Sequence, residues 1–338
     1  MQAKDLTAYL APWLEEFIAA HPFVTGAYLA GSAAEKAPED EIAGCSDIDV
    51  MLTIEGEARP KPGKIPHGGL VIEGTYIPWA QIADPEAALA DYHIAHGLFR
   101  SRILCDADGR LTALCEKVRA EFSKPDRILQ RVDGVIAKIE NGLNGFDPRL
   151  PLHNRFMGLA FSAGIMAHAV LVAAQKNPTV RMRYRAAHEI LAPEMQEFLL
   201  KTAGFADITP DEARIYALKM GELFDLVSPR CKTVYPFTGD LQPEMKKSAV
   251  DDALALIDQG LHRETMFWTC ATFCRLMMQA AADAPQIHAQ WTSAFEALSR
   301  RVGICTPEQQ SARIASIRAA LPGLRRLSES IIAENNCV

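Results

Sequence analysis

What this chain lacks narrows its function before any motif is found. None of its eight cysteines forms a CxxC pair, so the commonest thiol signature of a zinc or redox centre is missing. Cys270 and Cys274 stand one helical turn apart in "FWTCATFCRLM", among neighbours that read as helix core; packing is the role assigned to them. The opening "MQAKDLTAYLAPWLEEFIAA" has no uncharged apolar core, because Asp5, Glu15 and Glu16 interrupt it. A signal peptide is therefore not read there. The longest apolar run, "GLAFSAGIMAHAVLVAA" at 158–174, carries His168. It is short for a membrane span and reads as a buried core helix. A cytoplasmic location with free thiols and no membrane partner is expected. There is no repeat of fixed period, no low-complexity stretch and no block of like charge. The net charge is −7 with no basic tract, which argues against a nucleic-acid partner, since phosphate backbones are held by clustered Lys and Arg.

What is present divides the chain in two. Leu6, Tyr9, Leu10, Trp13, Leu14, Phe17 and Ile18 recur at helical spacing and predict a helix over 6–20. "VTGAYLAGS" reads as a short strand ending at Gly31-Ser32, "SDIDVMLTI" as a second and "LVIEGTYIPW" as a third. "AAEKAPEDEIAGC" reads as a small helix or loop, and "EGEARPKPGKIPHGG" as a Pro/Gly-rich connection. A single helical stretch "DPEAALADYHIAHGLFR", a strand-like "SRILCDAD" and a helix from about Arg110 complete the first part. Beyond residue 120 strand signals nearly vanish. Helical patterns follow around 126–145, 150–175, 181–202, 210–226, 246–259, 262–282, 284–301 and 307–334. The reading is an α+β chain: a small α/β domain at 1–120 and an all-helical domain at 121–338.

The chemistry sits in the second and third strands. Strand side chains alternate faces, so Asp47, Asp49 and Met51 share one side and Ile48, Val50 and Leu52 the other. Val71, Glu73, Thr75 and Ile77 likewise share a side. If these strands are neighbours, three carboxylates enter one small volume. Like charges about 4 Å apart repel by roughly 4 kcal/mol per pair at an intermediate dielectric. A carboxylate must then take up a proton, or a cation must bind. Hard oxygen donors suit Mg²⁺, which pairs one or two carboxylates with substrate phosphates and water. Gly31-Ser32 supplies a backbone turn that an anion can approach closely and a hydroxyl donor for a phosphate oxygen.

"LAGS" followed by "SDIDV" resembles the nucleotidyltransferase superfamily with the polymerase-beta type core. The carboxylate in "LVIEGTYI" is similar to the glutamate of the streptomycin/spectinomycin adenylyltransferase group, whose members also carry a helical C-terminal domain. The likeness is one of motifs over residues 24–80 and of architecture alone beyond 120. It implies a nucleotidyltransferase domain with a mixed sheet and a helical substrate-binding domain. It also implies Gly31 and Ser32 on the nucleotide phosphates, Asp47 and Asp49 as Mg²⁺ ligands, and Glu73 as third ligand or general base. The expected activity is Mg²⁺-dependent transfer of AMP from ATP to a hydroxyl of a small molecule such as an aminoglycoside. A protein-directed adenylyltransferase and a catalytically silent nucleotide-binding module are the alternatives. Two departures stand out. Fourteen residues separate Ser32 from Asp47, a longer stretch than the family pattern, and its acids Glu35, Glu39, Asp40 and Glu41 are expected to form a lip over the site. Lys36 is the lone basic residue soon after Gly-Ser.

Other residues draw blander readings. Asp211-Glu212 and Asp251-Asp252 read as solvated helix faces rather than attractors of a cationic acceptor. Arg181 and Arg185 share one helical face and read as surface charge. His93 and His96 share a side and read as packing or domain contact, and Trp79 as core. The loop "VYPFTGDLQP" at 234–243 has no assigned role, and the oligomeric state is not legible.

Overall fold

A computed structural model describes residues 1–42 and 47–335; Cys45, Ser46 and Cys337 lie outside the described residues. The chain forms two compact units, residues 1–134 with 175–178 and residues 135–174 with 179–338.

The first unit is α+β. Its elements are α1 (Leu6–Ala20), β1 (Val24–Leu29), α2 (Gly31–Glu35), β2 (Asp47–Ile54), β3 (Gly63–His67), β4 (Leu70–Pro78), α3 (Trp79–Ile82), α4 (Pro85–Ala90), α5 (Tyr92–Arg100), β5 (Arg102–Asp106) and α6 (Arg110–Glu121), followed by the first turns of α7 (Pro125–Asn144). The five strands make one mixed sheet in the order β3-β4-β2-β1-β5. Only the β2–β4 pair is parallel. The chain leaves β2, runs past the place of β4 to the sheet edge, and returns as the hairpin β3–β4. That hairpin corrects the sequence reading, which took residues 55–69 as a plain connection. Its turn is Gly68-Gly69, with both φ angles positive at 52° and 88°, as a two-residue turn between twisted antiparallel strands requires. Pro66 is tolerated because β3 is an edge strand, where a missing N–H breaks no inner ladder.

Each face of the sheet buries its own apolar set. Ile48, Val50 and Leu52 are fully buried, packed in one cluster with Leu6, Leu10 and Trp13 of α1. Tyr28, Ile77, Leu89, Leu98 and Leu114 form a second cluster with partly buried Met51. The pleat of β2 thus sends Met51, and with it Asp47 and Asp49, toward the face of the second cluster.

The stretch 84–100 is two helices rather than one. Asp84 accepts from the Glu86 N–H at 3.0 Å and starts α4 with Pro85 in its first turn. Asp91 then ends α4 and caps α5, accepting from the N–H groups of His93 and Ile94, both at 2.9 Å. A short acidic side chain that satisfies two orphan donors starts a new helix at low cost. Buried Arg131, on α7, donates to the Phe122 carbonyl at the end of α6 at 2.6 Å and lies 4.1 Å over the Phe122 ring. Burial holds its guanidinium down at about 10. A cation at a helix C-terminus meets the negative end of the dipole.

The second unit is helical among the described residues. It holds the rest of α7, then α8 (Leu152–Ala173), α9 (Arg183–His188), α10 (Pro193–Ala203), α11 (Pro210–Val227), α12 (Lys246–Asp258), α13 (Met266–Asp283), α14 (Pro285–Arg301) and α15 (Pro307–Asn335). The predicted helix at 181–202 is two elements, with Pro193 in the first turn of α10, where its missing N–H costs nothing. α11 opens with a capping box in which Thr209 and Glu212 satisfy one another's backbone donors, the reciprocal arrangement that stabilises a first turn. α8 is long and apolar enough to cross a membrane by composition, yet 83% of that window is buried inside the structure, as in a core helix. It packs on α9, α10, α13 and α15. Cys270 and Cys274 are fully buried on α13, consistent with their packing role.

Two glycines of α8 yield a paired prediction. A Cβ on Gly164 would stand 2.3 Å from the Phe267 ring, whereas one on Gly158 would meet nothing within 4 Å. Gly164→Ala is expected to lower stability by about 1–3 kcal/mol through overpacking. Gly158→Ala is expected to raise it by about 0.5–1 kcal/mol through helix propensity. Chemical denaturation of the two variants checks both signs.

Candidate functional site

The backbone register alone gathers the acids. Asp49 lies opposite Glu73 across the parallel β2–β4 pair, with Asp47 opposite Val71. Lys64 lies opposite Glu73 across the β3–β4 hairpin. Lys64, Glu73 and Asp49 therefore form one row across three strands, with Asp47 two residues along from Asp49. The Lys64 side chain is only 9% exposed, and its Nζ sits 2.5 Å from Asp47 Oδ2 and 3.8 Å from Glu73 Oε2. Lys61 Nζ, on a more exposed side chain, stands 3.9 Å from Glu73 Oε1.

Gly31 completes the arrangement. It follows β1 with φ +61°, and a Cβ there would fall 2.0 Å from Asp49 Oδ2. The Asp49 carboxylate therefore rests on the bare Cα of the β1–α2 turn, and the Ala30 N–H donates to the Asp49 carbonyl at 3.0 Å. Only a residue with neither a Cβ nor a φ restriction permits this approach. Asp49 is pushed up from 3.8 to about 7, first by burial and then by the charges of Glu73 and Asp47, with Lys64 and Lys61 opposing. The residue is half-buried overall, but its carboxylate is turned inward onto Gly31, which is why loss of solvent leads the causes.

Gly31, Asp47, Asp49 and Glu73 are thus brought together, and Ser32 is exposed on the first turn of α2. The two lysines were missed in the sequence reading. Their signal was available in "KPGKIPHGG", where Gly-Gly directly before the apolar run of the next strand marks a hairpin and places Lys64 opposite Glu73. The prolines at 60, 62 and 66 hid it.

Among the described residues, no three His, Cys, Asp or Glu side chains are grouped so as to hold a metal ion by themselves. The donor set still fits Mg²⁺. That ion is held by one or two carboxylates together with substrate phosphates rather than by an all-protein cage, and a cation already serves these acids in the form of the Lys64 ammonium.

The acidic segment after α2 forms contacts with the first residues of the chain. Lys4 Nζ pairs with Glu39 at 2.9 Å, the Ala3 N–H donates to the Asp40 carbonyl at 2.8 Å, and Gln2 bridges Glu41. Lys36 gives its carbonyl to Arg102. His96 is buried and pushed down to about 4, first by burial and then by Arg100 and Arg131. Its Nε2 is 3.4 Å from Glu35 Oε1, a neutral imidazole beside a carboxylate. Trp79 lies under the Arg110 guanidinium at 4.5 Å. In the helical unit, Arg181 precedes α9 and pairs with Asp252, while Arg185 pairs with Glu189 at 2.8 Å. They do not share a helical face as the spacing predicts. Glu212 pairs with Arg301 at 2.6 Å, and Asp240 of the 234–243 loop with Arg275 at 2.8 Å.

No protein-family model matches the chain, and a search of curated proteins finds no match.

The site yields two predictions. Because Asp49 titrates above its ordinary value, the folded state holds a proton that the unfolded state has lost. Its contribution to metal-free stability therefore falls as pH rises from about 4 to about 7 and is flat above. Asp49→Asn is expected to remove that slope and to be more stable than wild type at about pH 8, on the order of 1 kcal/mol. Denaturant midpoints of both proteins across this window measure it. Gly31→Ala is expected to destabilise by about 2 kcal/mol or more, since strain and overlap act together. A melting curve matching wild type would contradict the Gly31–Asp49 contact.

Proposed function

We propose that this chain is a cytoplasmic nucleotidyltransferase that moves a nucleoside monophosphate, AMP from ATP, onto a hydroxyl of a small molecule. The observation that carries the reading is the convergence of Asp47, Asp49 and Glu73 on one sheet face, with the Asp49 carboxylate seated on the Gly31 turn. The resemblance of "LAGS", "SDIDV" and "LVIEGTYI" to the polymerase-beta type core supports the same assignment.

In this proposal Asp47 and Asp49 would hold Mg²⁺ together with the substrate phosphates, and Glu73 would serve as the base or, once phosphates are bound, as a third ligand. When bound, the ion supplies neutralisation of charge on the phosphates and a template for in-line displacement. The chain's own residues do the rest. The Gly31 turn offers backbone N–H groups and Ser32 a hydroxyl to phosphate oxygens. Glu73 accepts the proton of the attacking hydroxyl, whose oxygen bonds to the α-phosphorus as the bond to the β-phosphate oxygen breaks and pyrophosphate leaves. Loss of solvent around Asp49 strengthens every charge interaction at that position.

One observation favours a second reading. The Lys64 ammonium already meets the charge of Asp47 and approaches Glu73, as a silent scaffold retaining the fold without metal would require. Mg²⁺-dependent binding of a nonhydrolysable ATP analogue, followed calorimetrically, together with pyrophosphate release from ATP, separates the two: a silent module binds nucleotide without turnover.

The expected outcome is saturable analogue binding in Mg²⁺ that EDTA abolishes. With ATP and an aminoglycoside panel, pyrophosphate release is expected to drop by about 100-fold or more in Asp47→Ala. Equal release by the two proteins, or analogue binding indifferent to Mg²⁺, rejects the nucleotidyltransferase reading.

A further inference from the structure

The residue that the proposed chemistry does not use is Lys64. It lies on the edge strand β3, its side chain 9% exposed, with Nζ at 2.5 Å from Asp47 and 3.8 Å from Glu73. A lysine stem four carbons long ordinarily keeps its ammonium in water, and holding it still in a site costs side-chain entropy. Here the sheet register fixes where it reaches, because Lys64 stands directly across from Glu73. The hairpin that carries it is fixed in turn from the opposite side. The Tyr9 hydroxyl of α1 donates to the His67 carbonyl at 2.8 Å. A Cβ on Gly68 would meet that hydroxyl at 2.0 Å, so the tyrosine fits only over a bare turn. Lys64 is thus delivered to the carboxylates by rigid elements, unlike Lys61, whose side chain is 58% exposed before the strand begins.

We propose that Lys64 is a tethered counter-cation that occupies the carboxylate site in the absence of a divalent ion and must release Asp47 before one binds. The inference rests on the metal-site reading of Asp47, Asp49 and Glu73 given above. Two consequences follow from charge alone. First, a free divalent ion meets an acid cluster already partly neutralised, so the site discriminates against metal arriving without nucleotide. Second, a metal–triphosphate brings its own anionic oxygens, which give the displaced ammonium a new partner. Lys64 then makes metal binding conditional on nucleotide.

Titration with Mn²⁺ alone, without nucleotide, tests this by calorimetry and by melting temperature. Lys64→Met keeps the aliphatic stem and removes the charge. It is expected to bind Mn²⁺ at least about tenfold more tightly than wild type, by relief of one unit of like-charge repulsion. It is also expected to melt below wild type in metal-free buffer and to gain more from added Mn²⁺. Lys64→Arg is expected to restore the exclusion, and Lys61→Gln to change the affinity by less than about threefold, as an exposed charge does. Should Lys64→Met fail to fold without metal, Lys64→Gln is titrated in its place, with the same tenfold expectation. Equal or weaker Mn²⁺ binding by the uncharged variants, or no binding by any of the proteins, overturns the proposal. Since no nucleotide enters, a tenfold gain stands even if the chain transfers no nucleotidyl group. Failure here, alongside Mg²⁺-dependent analogue binding in wild type, leaves the transferase reading intact.

Discussion

The backbone register of a parallel strand pair is the constraint on which the rest of the site depends. β2 and β4 run side by side with Asp49 across from Glu73, and two acids directly opposite one another are unfavourable in a sheet. The repulsion is not relieved by separation, because the same strands bury Ile48, Val50, Leu52 and Ile72 on the other face. A slip of one residue would turn those side chains out and the acids in. The hydrophobic core therefore holds the carboxylates in place, and the cluster must find its compensation locally. It does so with a raised Asp49 and the ammonium of Lys64.

Much of the fold was legible because the signals are local. The alternation in "SDIDVMLTI", the helical spacing in α1 and the Pro- and Gly-punctuated helices after residue 120 each rest on neighbours in sequence. The misses share a physical cause. Asp91 and Pro193 each interrupt an apolar pattern that continues past them, so periodicity ran on where capping chemistry had already ended the helix. The β3–β4 hairpin was lost because prolines argue against strands, and only an edge position makes Pro66 acceptable. Edge position is a property of the whole sheet.

The carboxylates were legible for the same reason as the strands, since alternation alone places Asp47 with Asp49. What alternation within a strand does not reveal is what meets them. Lys64 reaches Asp47 from a third strand, and Asp49 reaches Gly31 from a second. Both are contacts between segments whose adjacency is set by sheet order. The contacts of the acidic segment after α2 with Gln2, Ala3 and Lys4 are of the same kind: a solvated loop by composition, tied down by pairing with a distant part of the chain.

The seating of Tyr9 over Gly68 has a meaning for how this chain tolerates change. Helix and hairpin meet as bulk against absence of bulk, so the two positions do not drift independently. A side chain gained at the turn demands a smaller ring on the helix, and a shortened ring leaves a gap above the glycine. The turn is restricted to glycine twice over, by its φ of 52° and by the Tyr9 hydroxyl above it, five residues before Glu73 on the next strand.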